Sequence, residues 1–289
     1  MPQVEKYGAP RLGSGGDFEC GVHGALTFDP PANQPDRSKG VCYYYIGLKN
    51  RDKANTQLKA TADLCTDFID SFNACFNQAR KRKLWLASVE KLNFDINFKE
   101  IGLLELITFI NDPKFESRLK QTYLRMSSGH AIVLLTLTNI IANIEEKSLI
   151  LIDEPESHLH PPLLSAFTRT LSDLLIERNG VAIIATHSPV VLQEVPKSCV
   201  WKLYRVRLES TANRPQDETF GENVGTLTRE VFGLEVSNSG FHALLRQSVS
   251  EKKTYEQIIE EYKGQLGYEG RSILRSLISP SLKGDEKTS

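Results

Sequence analysis

The chain has 289 residues, enough for one large domain or two modest ones. Its hydrophobic content of 40% and charged content of 25% are typical of a folded globular protein. The formal net charge of −1 excludes a global electrostatic attraction to nucleic acid or to membranes, so any contact with DNA or RNA must come from a local patch.

The five cysteines are odd in number and include no C-x-x-C pair, so neither a disulfide framework nor a zinc ribbon is indicated. Reduced thiols are typical of the cytoplasm. No apolar stretch is long enough to cross a bilayer, and the first residues lack the apolar segment of a signal peptide. We therefore expect a cytoplasmic protein without membrane contact.

The first part of the chain combines a segment rich in Gly and Pro, residues 1–40, with an aromatic strand predicted over 41–46. Apolar residues then recur at helical spacing over 54–83, which predicts one long amphipathic helix. It closes in a basic run, residues 80–83. Because cations are favourable at a helix C-terminus, we interpret this run as a solvated helix end rather than a nucleic-acid contact. A short apolar helix is expected over 101–110.

The second part alternates helices with apolar runs. A short run without polar groups is typical of a buried strand in a parallel sheet. The prolines at 161 and 162 are compatible with a helix that begins there, because the first helical turn does not need their N–H groups. The predicted elements are a helix over 127–143, a strand over 149–152, a helix over 161–178, a strand over 181–185, an edge strand over 199–208 and mostly helices after 215.

Two adjacent carboxylates, Asp153 and Glu154, follow the strand over 149–152. Open α/β sheets bind their ligands at the carboxyl ends of their strands. Asp153 can hold Mg²⁺ directly or through water, and Glu154 can orient and deprotonate a water molecule. An acidic turn after a strand is the alternative that needs no ligand.

Two further motifs flank this strand. Ser127, Ser128 and Gly129 open a helix, where hydroxyls and free N–H groups suit a phosphate, although a serine helix cap needs no ligand. His187 follows the next buried strand and can donate a hydrogen bond to a terminal phosphate or to the attacking water. Because it lies at the same predicted sheet edge as the two carboxylates, we favour a functional role.

In this order, the three segments resemble the ATP-binding cassette ATPases, in the soluble branch with the SMC, break-repair and phage-defence ATPases. Residues 127–129 resemble the signature motif, 148–154 the Walker B strand, 156–160 the D-loop and His187 the switch histidine. The resemblance covers residues 120–200 well and the flanks loosely. It implies an α/β fold, a P-loop NTPase core of the ABC ATPase head type, with a parallel or mixed sheet flanked by helices.

The phrase Asp-Glu-Pro-Glu-Ser-His-Leu-His-Pro is typical of ATPases from bacterial defence systems, including the Septu-type and retron-associated ATPases and the overcoming-lysogenization-defect nucleases. Segments 219–233 and 43–49 resemble the Septu and retron type most. On this resemblance, the domains expected are a remnant of an N-terminal ATPase lobe over 1–53, a helical insertion over 54–125, an ATPase lobe over 126–210 and a helical C-terminal extension over 211–289.

The resemblance also implies roles and partners. Asp153 would bind Mg²⁺, Glu154 would be the general base, His187 would sense the γ-phosphate of ATP, and residues 127–129 would act on the nucleotide of a neighbouring subunit. The implied assembly is a head-to-tail homo- or hetero-oligomer of ATPase subunits that controls an effector nuclease in anti-phage defence. No nuclease motif occurs in this chain, and nucleic-acid binding is left open.

The phosphate loop that this superfamily requires, G-x-x-x-x-G-K-[ST], does not occur in the sequence. Its lysine and backbone N–H groups hold the β- and γ-phosphates, so a chain without it should bind ATP poorly. The chain is then either a fragment of a longer ATPase or a degenerate partner subunit.

Three alternatives compete with an ATPase of the defence branch. A non-catalytic interaction subunit would contribute only its signature motif to a complete ATPase. An SMC-like repair ATPase would need a long coiled coil, which the predicted helix over 54–83 is too short to form. A zinc site at Glu156, His158 and His160 is less favoured than a D-loop leading into the next helix.

Overall fold

The computed structural model describes residues 34, 42–48, 58–206, 209–238, 240–251 and 253–278. The chain forms two compact units, of which the first ends at Cys199 and the second begins at Val200. In the described ranges, no helix is both long and apolar enough to span a membrane. The first unit contains α1 Thr61–Phe76, α2 Ala79–Leu92, α3 Ile96–Lys99, α4 Leu103–Ile107, α5 Phe115–Leu124, α6 Ser128–Asn143, β1 Leu149–Asp153, α7 Pro161–Arg178, β2 Val181–Ala185 and α8 Pro189–Gln193.

The single helix predicted over 54–83 is wrong. The chain breaks after α1, where Gln78 is extended with φ −124° and ψ 118°, and α2 starts at Ala79. The break lets α2 fold back, so that the Trp85 ring meets the Phe76 ring edge-on at 5.3 Å. Both helices keep apolar residues at helical spacing, and periodicity therefore could not reveal the turn. Residues 54–57 lie outside the described residues.

The core of the first unit is built around α6. Trp85 is fully buried, and its indole N–H donates to the Thr138 hydroxyl at 2.9 Å. Phe68 stacks on Tyr123 with ring centroids 4.7 Å apart, which joins α1 to α5. Burying aromatic side chains of this size supplies much of the hydrophobic driving force of a domain. The helices over 61–124 thus share one core with α6 and β1.

The basic run over 80–83 begins a helix rather than ending one, contrary to the prediction. It lies in the first turns of α2. Lys81 is buried, and its ammonium donates to the Ala142 carbonyl at 2.6 Å, near the C-terminal end of α6. A cation at the negative end of a helix dipole is stabilising, so Lys81 contributes to the stability of the fold.

The strands β1 and β2 are parallel and pair from Leu149 opposite Val181 to Asp153 opposite Ala185. These bounds and those of α6 and α7 confirm the predicted elements. Gly180 allows α7 to join β2 closely, because a Cβ atom there would lie 3.0 Å from the Ser148 carbonyl oxygen. Within the described part of the strand predicted over 41–46, no continuous strand is assigned: Tyr43 pairs with Gln34 in an isolated antiparallel bridge, and residue 41 lies outside the described residues.

The second unit opens with an antiparallel pair, β3 Lys202–Val206 and β4 Glu209–Asn213. Lys202 donates to the Glu230 carboxylate at 2.6 Å and so fastens β3 to the first following helix. The division between the two units precedes β3. The domain bounds expected from the sequence, 1–53, 54–125, 126–210 and 211–289, stay predictions. The helices of this unit confirm the helical prediction after 215: α9 Val224–Asn238, α10 Gly240–Ser250, α11 Tyr255–Glu261 and α12 Tyr268–Ile278.

Candidate functional site

The two predicted carboxylates lie at the carboxyl end of β1. Asp153 is the last residue of the strand and is half-buried. Glu154 follows in the left-handed conformation, with φ 47°, while its backbone N–H donates to the Ala185 carbonyl at 2.8 Å. This sharp turn leaves the Glu154 side chain 58% exposed. A non-glycine residue with positive φ is uncommon and is often found at functional sites.

His187 lies at the same edge, after the parallel strand β2. Its Nδ1 atom is 3.1 Å from Glu156 Oε1 and 3.6 Å from Glu154 Oε1, and its side chain is 62% exposed. The structure thus brings Glu154 and His187 together, as the sequence predicts. Both side chains reach solvent, where a nucleotide or a water molecule has access to them.

Glu156, which the sequence assigned to a D-loop, contacts the segment that carries His187. Its side chain is 10% exposed. Its carboxylate accepts hydrogen bonds from the Thr186 hydroxyl at 2.9 Å and from the His187 backbone N–H at 2.7 Å. Charge-assisted bonds of this kind are stronger than neutral ones. Glu156 therefore fixes the segment that carries His187. The sequence does contain a signal for this contact: an acidic residue follows β1 closely, and a Thr-His pair follows the neighbouring strand β2.

The Ser127–Gly129 segment caps and begins α6. The Ser127 hydroxyl lies 2.7 Å from His130 Nδ1, and the Ser127 and Ser128 side chains are exposed. Gly129 packs against the segment after β1, because a Cβ atom there would lie only 2.4 Å from the His158 carbonyl oxygen. This close packing explains why glycine occupies position 129. It lets the α6 N-terminus lie directly against the loop beyond Glu154.

The zinc set weighed from the sequence is not assembled among the described residues. Glu156 engages Thr186 and His187, and His158 belongs to no group of metal-capable side chains there. His160 instead lies against Asp95, with Nε2 3.0 Å from Oδ2. The D-loop assignment of this segment stays a prediction.

A cleft of about 370 Å³ is lined by residues of α3 and α5 and their neighbours, including Asn97, Thr122 and Arg125. None of the predicted catalytic residues lines it. The strand ends therefore define the candidate site, in agreement with the rule for open α/β sheets.

Comparison with known proteins supports a P-loop ATPase family for the part of the chain that holds these strand ends. Residues 70–193 match the family described as "AAA domain, putative AbiEii toxin, Type IV TA system". The match includes all the predicted site residues. It supports a P-loop ATPase family, and it does not distinguish the Septu and retron branch or an SMC-like ABC type.

The chain is also similar to "Protein ea59" of Escherichia phage lambda. The two are 54% identical over 267 residues, which cover 87% of this chain and 50% of the relative. The chain therefore spans about half the length of this curated relative. The relative's name states no activity.

Proposed function

We propose that this chain supplies the hydrolytic edge of a P-loop ATPase, which cleaves MgATP to ADP and phosphate. The observation that carries the proposal is the meeting of Glu154 and His187 at one strand edge, beside Asp153. In this arrangement Glu154 takes a proton from water, and that water attacks the γ-phosphorus as the bond to the bridging oxygen breaks. His187 donates a hydrogen bond to the γ-phosphate.

Asp153 fits the role of magnesium ligand. Its carboxylate ends the strand and is half-buried, and Mg²⁺ in nucleotide sites is held by one or two carboxylates together with water and phosphate oxygens. When bound, Mg²⁺ would neutralise charge that develops on the phosphate oxygens. Glu156 acts as a positioning residue, since it holds the backbone N–H of His187 without facing the substrate.

We further propose that the phosphate loop belongs to another lobe. The sequence contains no such loop, and the chain spans half the length of its phage relative. Ile183 on β2 is 60% exposed and pairs in register with Leu151. Ile183 thus marks an apolar position on the exposed side of β2 that is available for contact with another part of the molecule. We assign this surface to the lobe that carries the phosphate loop.

Complementation tests this assignment. The chain is co-expressed with the half of the phage lambda relative that it does not span, and MgATP hydrolysis is followed by phosphate release. We expect turnover by the complex and little by the chain alone. Glu154→Gln should lower turnover by a factor on the order of 10²–10⁴ without dissociating the complex.

Ile183→Asp should prevent complementation, although its exposed position leaves the fold of the chain intact. Full turnover by the Glu154→Gln complex would contradict the proposed base. Complementation by Ile183→Asp at the level of the unchanged chain would contradict the proposed docking surface.

The finer assignment to the defence branch rests on the resemblance described above. We propose a head-to-tail oligomer in which the serines at 127 and 128 reach the nucleotide of the neighbouring subunit and ATP controls an effector nuclease. Their exposed side chains at a helix N-terminus support this role. It predicts that Ser128→Arg blocks ATP-dependent oligomerisation, as measured by light scattering.

A regulatory partner subunit is the second candidate, and the missing phosphate loop favours it. In that case the chain would stimulate the ATPase activity of a full-length relative through its signature segment alone. Ser128→Arg would then abolish the stimulation, whereas Glu154→Gln would leave it unchanged. Loss of activity in Glu154→Gln as well as in Ser128→Arg would instead support the catalytic role.

A further inference from the structure

Outside the strand edge, the structure brings two histidines and an aspartate together. Asp95, His130 and His160 offer ligand atoms that all lie within 4.8 Å of one another. Asp95 precedes α3, His130 lies in the first turn of α6, and His160 precedes α7. We propose that these three side chains bind a divalent transition-metal ion of the zinc class.

Each imidazole lies beside a different oxygen of the Asp95 carboxylate, at a distance close to that between ligands of one ion. Zinc bonds of 2.0–2.1 Å place neighbouring tetrahedral ligand atoms about 3.3 Å apart. His130 Nε2 lies 3.3 Å from Asp95 Oδ1, and His160 Nε2 lies 3.0 Å from Asp95 Oδ2. The first distance is long for a hydrogen bond from N–H to oxygen, which peaks near 2.9 Å. The two imidazole rings are nearly perpendicular, with centroids 5.9 Å apart.

Surrounding groups orient the ligands as metal sites require. Ser127 Oγ lies 2.7 Å from His130 Nδ1, so an N–H on that nitrogen leaves Nε2 with its lone pair toward the site. The Asp95 carboxylate is 5% exposed and accepts from the Phe98 backbone N–H at 2.7 Å through Oδ1, which fixes its direction. Oriented ligands of this kind bind metals more tightly than mobile ones.

The donor set selects the metal. Imidazole nitrogens suit zinc and its transition-metal neighbours, whereas Mg²⁺ and Ca²⁺ prefer oxygen ligands throughout. The His160 side chain is 42% exposed, so the ion can enter from solvent and a water molecule can complete its coordination. The ion would tie α6 to the segment that follows β1. This inference does not depend on the proposed ATPase activity.

Metal content tests the site directly. The full chain is purified without a histidine tag, loaded with ZnSO₄, freed of excess metal and analysed by mass spectrometry. We expect about one zinc per chain, and a Co²⁺-loaded sample should show the strong visible absorption of a tetrahedral site. His160→Ala should weaken zinc affinity by a factor on the order of a hundred or more, and Ser127→Ala by a factor of about 10–100.

His158→Ala is the matched control, because His158 is exposed and lies two residues from His160 in the same segment. It should retain zinc and the rise in Tm that zinc produces. His160→Ala should lose both while keeping the circular dichroism of the unchanged chain. No zinc in the unchanged chain, or equal losses in the two histidine variants, would overturn the proposal.

Discussion

The contact of Gly129 with the segment after β1 makes Gly129→Ala the most direct probe of how α6 is positioned. A Cβ atom at this position would lie 2.4 Å from the His158 carbonyl oxygen, and real Cβ atoms essentially never come within 3.0 Å of such an atom. The oxygen cannot retreat easily, because the Ser157 hydroxyl donates to the Glu154 carbonyl at 3.0 Å and braces the same turn. Either α6 or this turn must therefore move.

Two effects of opposite sign determine the magnitude. Alanine improves helix propensity over glycine by about 1 kcal/mol. Forcing an extra carbon into a packed contact costs about 1–3 kcal/mol, and a contact with backbone belongs at the upper end. We expect Gly129→Ala to lower the free energy of unfolding by about 1–2 kcal/mol. Ser128→Ala, one residue earlier and exposed, should change it by less than about 0.5 kcal/mol.

Urea denaturation followed by circular dichroism measures both variants against the unchanged chain. If Gly129→Ala proved as stable as the unchanged chain, or more stable, helix propensity would have prevailed and the close approach to His158 would be refuted. A loss in Ser128→Ala equal to that in Gly129→Ala would instead assign the effect to the first turn of α6 in general.

Three other predictions follow from side chains with defined partners. Glu156→Ala should cost about 1.5 kcal/mol, because it removes the charged acceptor of the Thr186 hydroxyl and the His187 backbone N–H, and urea denaturation would detect it. The hydrogen bond from Lys202 holds the pKa of Glu230 below its usual range, so its stabilisation is complete above about pH 5 and is lost as the pH falls through the folded-state pKa. The unchanged chain should therefore exceed Glu230→Gln in stability at pH 7, and this gap should narrow as the pH falls below about 4; a constant gap would contradict the ion pair. Burial raises the pKa of the Cys75 thiol to about 12, so iodoacetamide at pH 8 should modify exposed Cys199 before Cys75, as peptide mass mapping would show.

Local signals predicted the elements that position the strand edge. Prolines at 161 and 162 mark the start of α7, and apolar runs mark β1 and β2. The parallel pairing then places Glu154 and His187 at one edge without further information. These features are local in sequence or follow from the general topology of α/β sheets, which is why the sequence could reveal them.

Features that depend on distant contacts could not be predicted. Asp95 and His130 are 35 residues apart, and nothing between them indicates that they meet. The turn at Gln78 could not be predicted either, because the helices on both sides of it share one apolar periodicity. Lys81 looked like a solvated cation, and only the packing of α2 against α6 explains its burial. Such contacts are set by tertiary packing, which overrides local propensity.

Hydrolysis of MgATP by the complemented complex tests the proposed catalytic role of Glu154 and His187 most directly. Phosphate release by the chain together with the remaining half of the phage lambda relative should be rapid, and it should fall by a factor on the order of 10²–10⁴ in Glu154→Gln and 10²–10³ in His187→Ala. Turnover that is unchanged in both variants would contradict the assignment of the β1 and β2 strand ends as the catalytic site.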